Sequence, residues 1–189
     1  MIGNFDIYIA GVGGQGIGLL SEALIRAVDH AGMIAKGCDT HGLAQRGGSV
    51  SSHVRVGADA RSPLVSEGSA DLVVALERHE AVSAGRKYLK EGGTLLWFDA
   101  SWQPLDVRLG KARAAGESDV EEVAALRKGT AVRVDGEGLP DPRMQNVAML
   151  AALCRRGLVP GLSLAHARAA LSDLMAGAAL DANLALLAD

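Results

Sequence analysis

Apolar residues along this chain fall into two alternating patterns, short unbroken runs and longer stretches with helical spacing. Asp6 to Ala10 predicts a first strand, and Gln15 to Ala31 a helix with Leu19, Leu20, Ala23, Leu24 and Ala27 on one face. Met33 to Cys38 predicts a second strand. From Val50 to Val56, Val50, Ser52, Val54 and Val56 alternate with Ser51, His53 and Arg55. That period of two predicts a strand with one wetter face, at a sheet edge or facing a partner. Asp71 to Leu76 predicts a buried strand and Glu77 to Leu89 a helix, which Gly92-Gly93 ends before a strand at Thr94 to Phe98. Ser118 and Glu121 have the spacing of a capping box for a helix reaching Lys128, followed by a strand at Ala131 to Val134. Asp141-Pro142 predicts an N-cap with proline at the first position of a helix running to Arg156. From Ser163 onward Leu164, Ala167, Leu171 and Leu174 share a helical face, with a break at Gly177.

Repeated strand, helix, strand units predict a mostly parallel sheet with helices on both faces, because parallel strands need helical crossovers. The expected fold is a Rossmann-like, doubly wound α/β domain. It is expected as one unit over residues 1–189, with a core at about 5–158 and a helical tail at 163–189. The safer role for that tail is to close its own core, with docking on a partner as the alternative.

Composition narrows the chemistry. A net charge of −3 over 189 residues leaves no basic footprint for nucleic acid or an anionic membrane. Aromatic residues make up 3%, too few for the stacking platforms of single-strand binders. The first twenty residues lack the pattern of an export signal and no apolar run spans a bilayer, so a cytoplasmic protein is expected. Two cysteines, Cys38 and Cys154, are too few for a disulfide framework or a cluster of the chain's own. The 24 glycines exceed the roughly 7% average usage, and many flank the apolar runs.

Gly11, Gly13 and Gly16 fit G-x-G-x-x-G where a strand should pass into a helix, with Gly14 and Gln15 between them. Such a turn can offer free N–H groups to an anion or nucleotide, or merely let helix and sheet pack closely. Both readings stand. Asp39 is placed either to bind a ribose, as in an NAD domain, or to make a turn. The segment His41-Gly42-Leu43-Ala44-Gln45-Arg46-Gly47-Gly48 joins a forked cation to two glycines, with His41 and Gln45 as neutral hydrogen-bonding groups. It suits a carboxylate, a phosphate or a partner's acidic side chain; the alternative is a loop whose arginine pairs locally. This loop and the glycine turn are expected to converge at the carboxyl ends of adjacent strands, with Arg46 as the main cation. A metal site from Cys38, His41 and His53 lacks a fourth ligand and any familiar spacing. His53, among valines, reads as a polar-face residue.

The segments GVGGQGIGLLSEAL, HGLAQRGGSVSSHVRVG, SPLVSEGSADLVVALE, GGTLLWFD and RMQNVAMLAALCRRGL, in this order, resemble the gamma subunit or domain of 2-oxoacid:ferredoxin oxidoreductases. Within that family the length and the HGLAQRGGSV wording are most similar to the small, beta subunit of the indolepyruvate enzymes. The resemblance covers about residues 5–158. An Ala-rich stretch at 110–116 and the terminal DANLALLAD depart from it. It implies oxidative decarboxylation of a 2-oxoacid, indolepyruvate or a related arylpyruvate, yielding an acyl-coenzyme A and reduced ferredoxin. Thiamine diphosphate, magnesium and [4Fe-4S] clusters would sit on a large partner subunit, with coenzyme A as co-substrate. The isolated chain would be inactive, with a homodimer as one state open to it. No residue of this chain is expected to be catalytic. Ligand or partner contacts are expected from Gly11, Gly13, Gly14, Gln15, Gly16, His41, Gln45, Arg46, Gly47, Gly48 and Asn146. The class-different alternative is a stand-alone nucleotide-binding or sensor module.

Overall fold

The computed structural model describes residues 4–40 and 48–188. Six strands, β1 (Phe5–Val12), β2 (Ala35–Thr40), β3 (Ser49–Val56), β4 (Ala70–Ala75), β5 (Leu89–Phe98) and β6 (Thr130–Val134), form one sheet in the order β2-β3-β1-β4-β5-β6. The run β1, β4, β5, β6 is parallel, and β3 is antiparallel to both β1 and β2. The sheet is therefore mixed, mostly parallel, as the Rossmann-like expectation required. The antiparallel strand has a simple cause: eight residues separate Thr40 from Ser49, fewer than a parallel crossover needs.

Side chains alternate across the sheet into two cores. Ile7, Ile9, Leu72, Val74 and Leu96 point to the face covered by α1 (Ile17–His30), α5 (Gln145–Arg155) and α6 (Leu164–Leu174). Tyr8, Ala10, Val73, Ala75, Leu95 and Trp97 point to the face covered by α2 (Arg78–Tyr88) and α4 (Glu117–Leu126). Burial on both faces explains why β1, β4 and β5 read as continuous apolar runs. On α1, Leu20, Ala23, Leu24, Ala27 and Val28 form the buried stripe.

β3 corrects one expectation, since it lies between β1 and β2 and is not an edge strand. Its polar residues have partners, in the neighbouring strands for Ser52 and Arg55 and outside the sheet for His53. Ser52 donates to Asp39 Oδ1, Arg55 Nε lies 2.8 Å from Asp6 Oδ1, and His53 Nδ1 accepts the Val65 N–H at 3.0 Å. Two terminators also moved. α2 stops at Tyr88 and Gly92-Gly93 falls inside β5. There a Cβ on Gly93 would sit 3.1 Å from the carbonyls of Ala70 and Asp71, so this glycine allows β4 to approach. The α4 cap lies at Gly116, two residues before Ser118, with the Gly116 N–H donating to Asp119 Oδ2 at 2.7 Å. Asp141 behaves as expected, its Oδ1 accepting the Arg143 N–H at 2.8 Å ahead of a 3-10 turn at Pro142–Met144 and then α5.

The tail closes the core. Ala167, Ala170 and Leu171 of α6 are fully buried, and His30 Nε2 of α1 meets Asp173 Oδ2 at 2.8 Å. After α7 (Gly177–Ala185), Arg155 donates to the carbonyls of Leu186 and Ala188, and Leu187 is buried. Among the described residues no helix is long and apolar enough to cross a membrane.

Candidate functional site

β1 delivers the glycine turn at its carboxyl end, and each residue of the turn has its own task. Gly14 (φ 101°) and Gly16 (φ 79°) adopt left-handed backbone, which favours glycine. A Cβ on Gly11 would lie 2.9 Å from both Gln15 Oε1 and Ile17 Cδ1, so Gly11 serves close packing. Gln15 is turned inward. Its Oε1 accepts the Val12 N–H at 2.7 Å and its Nε2 donates to the Leu76 carbonyl at 3.2 Å, tying β1 to β4. Asn146 is buried against Gly16, where an added Cβ would stand 2.5 Å from Asn146 Nδ2. The neighbouring Gln145 donates to the Gln15 carbonyl at 3.4 Å. The start of α5 thus covers the entry to α1, and Asn146 acts on the turn through Gly16.

The Gly13 N–H donates to the Gly48 carbonyl at 2.9 Å. Ser49 stands opposite Val12 and Ser51 opposite Thr40, so Ser49 and Thr40 lie at the same end of the sheet as the glycine turn; β3 separates β2 from β1, so the strands that lead into the two segments are not the adjacent pair expected. His41, Gln45, Arg46 and Gly47 lie outside the described residues. Asp39 is not a turn residue. It belongs to β2, bonded to Ser52, and its Oδ2 lies 3.8 Å from where a Cβ on Gly18, in the first turn of α1, would stand. The Gly13 N–H, one of the groups an NAD domain offers its cofactor, is already engaged here.

On the other side of the turn a cavity of about 460 Å³ opens at the carboxyl ends of β1, β5 and β6. That is the size range of small-molecule sites. Gly14 and Gln15 form one wall, Phe98, Ala100 and Trp102 a second, and Gly136, Leu139, Pro142, Arg143 and Gln145 the third. Trp102 is 56% exposed, a flat apolar ring beside an open crevice. Arg143 Nη2 lies 2.6 Å from Asp141 Oδ2, with Nε 3.1 Å from Oδ1. The Arg143 guanidinium holds the Asp141 carboxyl below its usual range. Sequence reasoning missed Trp102 and Arg143. Arg143 stood within RMQN, from which only Asn146 was singled out, and Trp102 follows a strand end, where ligands collect in open α/β sheets.

Behind the crevice, Glu77 is 1% exposed at the N-cap of α2, where it accepts the Glu80 N–H. Glu80 Oε2 accepts the Ser49 hydroxyl at 2.8 Å. Burial raises the Glu80 pKa, the Ser49 hydrogen bond opposes that rise and the Glu77 charge adds to it. His53 packs edge-on to Tyr8, with ring centroids 5.0 Å apart, and Tyr8 stacks on Tyr88. Burial lowers the His53 pKa and pushes that of Tyr8 up to about 12. Among the described residues no cluster of three or more His, Cys, Asp and Glu could hold a metal ion.

The family model for pyruvate ferredoxin/flavodoxin oxidoreductase matches residues 6–189. The chain belongs to the pyruvate ferredoxin/flavodoxin oxidoreductase family. The match runs through the helical tail, which extends the segment resembling the family beyond residue 158. Indolepyruvate oxidoreductase subunit IorB of Archaeoglobus fulgidus is 39% identical over 67% of this chain and 61% of that subunit's length. The chain therefore spans less than two thirds of that relative. IorB of Pyrococcus horikoshii is 30% identical over 96% of this chain and 91% of its own length. The fold is shared with pyruvate oxidoreductase subunit PORC of Thermotoga maritima, at TM-score 0.68, 21% identity, and coverage of 97% of this chain and 93% of that one. It is also shared with a 2-oxoglutarate:ferredoxin oxidoreductase of Magnetococcus marinus solved with 2-oxoglutarate, coenzyme A and succinyl-CoA. That likeness has TM-score 0.70 and 18% identity, and covers 99% of this chain and 30% of the longer one.

Proposed function

We propose that this chain is the small subunit of a 2-oxoacid:ferredoxin oxidoreductase acting on indolepyruvate or a related arylpyruvate, and that its crevice receives the nucleotide end of coenzyme A. A large partner subunit supplies thiamine diphosphate, magnesium and the [4Fe-4S] clusters, and passes electrons to ferredoxin. The IorB relatives support the substrate class. The division of labour is supported by the two cysteines of this chain, one of them, Cys154, buried with its thiol pushed up to about 11. A thiol so protonated is a poor cluster ligand.

The observation that carries the coenzyme A reading is the crevice itself. The exposed Trp102 ring offers a stacking surface for a base, Arg143 offers a forked cation for phosphate, and Gly14 lets backbone approach closely. Arg143 is now paired with Asp141, a mostly exposed contact that an incoming phosphate can displace. Arg46 is a second cation for the coenzyme or for an acidic side chain of the large subunit, in the segment that precedes Gly48, whose carbonyl holds the Gly13 N–H. In the assembled enzyme, Arg143→Ala should raise the Michaelis constant for coenzyme A roughly tenfold, the loss of one charge-assisted hydrogen bond, with little change in kcat. Arg143→Lys should fall between, since it keeps charge and loses the fork. An unchanged constant in Arg143→Ala and Trp102→Ala together would place the coenzyme elsewhere.

A further inference from the structure

Glu77 is an unusual N-cap. Short side chains are preferred at this position, and a cap needs only one oxygen. Here a longer carboxylate is buried almost completely, which is costly unless both oxygens are occupied. They are. One accepts the Glu80 N–H, and Oε2 accepts the Trp102 N–H at 3.4 Å. The same helix start is tied to the Trp102 segment twice more, by the Arg78 N–H donating to the Ala100 carbonyl at 3.0 Å and by Arg78 Nε donating to Asp99 Oδ1 at 2.6 Å.

Three residues on, Glu80 faces the other way, to Ser49 at 2.8 Å. Ser49 follows Gly48, whose carbonyl holds the Gly13 N–H at 2.9 Å. Gly14, the next residue, lines the crevice opposite Trp102. The contacts run from one wall of the crevice, through the first turn of α2 and the start of β3, to the other wall.

We propose that Glu77 and Glu80 are positioning residues that couple the Trp102 wall of the crevice to Gly48 and Ser49 at the start of β3. A change in the set of either wall is then felt at the other. Naming coenzyme A as the occupant rests on the reading above; the coupling does not.

The chain has two tryptophans, and they differ sharply: Trp97 is 1% exposed and Trp102 is 56% exposed. Acrylamide quenching of the full chain therefore reports on Trp102, with Trp102→Phe as the control that assigns the signal. Ser49→Ala, an exposed change at the far end of these contacts from Trp102, should alter the quenching constant by about twofold, the scale of a weak coupling. Glu80→Ala should do the same, and Glu80→Gln, which keeps an acceptor for Ser49, should restore the wild-type value. Combining Glu77→Gln with Ser49→Ala should give less than the sum of the two single effects. Unchanged quenching in Ser49→Ala and Glu80→Ala, with thermal melts intact, would overturn the proposal. If Glu77→Gln does not fold, Ser49→Ala alone decides between these results. A coenzyme A titration of the assembled enzyme carrying Arg143→Ala separately tests the occupant, so a failure there leaves the quenching result to stand or fall by itself.

Discussion

Gly16 is held at φ 79°, and an added Cβ would meet Asn146 Nδ2 at 2.5 Å, whereas Gly14 at φ 101° has nothing within 4 Å of its added Cβ. The two glycines of one turn thus answer to different constraints. Gly14→Ala should cost only the backbone strain, about 1–2 kcal/mol. Gly16→Ala should cost visibly more, because Asn146 sits in the buried start of α5 and has little room to retreat. Urea unfolding of both variants checks this, and equal losses would mean that Asn146 moves freely. The pattern G-x-G-x-x-G was legible in the sequence together with its place between strand and helix. Which glycine meets a ligand was not, since that depends on Gln15 folding inward and on residues 130 positions away reaching back over the turn.

Elements were legible where one local signal dominated. The stripe on α1 and the Asp141-Pro142 start are set by short-range periodicity and capping chemistry. β3 was misplaced because alternation is also what an inner strand shows when its polar residues find cross-strand partners, as Arg55 does with Asp6 and Ser52 with Asp39. The α4 start was missed because Asp119, not Ser118, reaches the backbone. Arg113 holds the Asp119 carboxyl down to about 2, helped by the Gly116 N–H. A depressed carboxyl pKa contributes stability above its ordinary value, and that contribution disappears as pH falls through the depressed one. Acid melts of the wild type should therefore lose stability between about pH 4 and pH 2, and Asp119→Asn should flatten that part of the profile. Because the partner Arg113 is mostly exposed, the effect should shrink in high salt. An identical acid profile in Asp119→Asn would assign the loss to other carboxylates.

At the scale of the whole molecule, the helical tail packs on one of the sheet's two cores, and the crevice opens where the parallel strands end. The family was legible because its segments appear in order along the chain. The crevice was not, because its three walls come from β1, β5 and the β6–α5 connection, which only the fold brings together. The central claim is that this chain shapes a site whose redox chemistry belongs to a partner. The direct measurement is ferredoxin reduction with indolepyruvate and coenzyme A, by the purified chain, by the purified large subunit and by the two mixed. The account predicts no turnover by this chain alone and turnover restored on mixing, with a coenzyme A dependence that Arg143→Ala weakens. Turnover by this chain alone, or a large subunit whose rate and coenzyme A dependence ignore its addition, would contradict it.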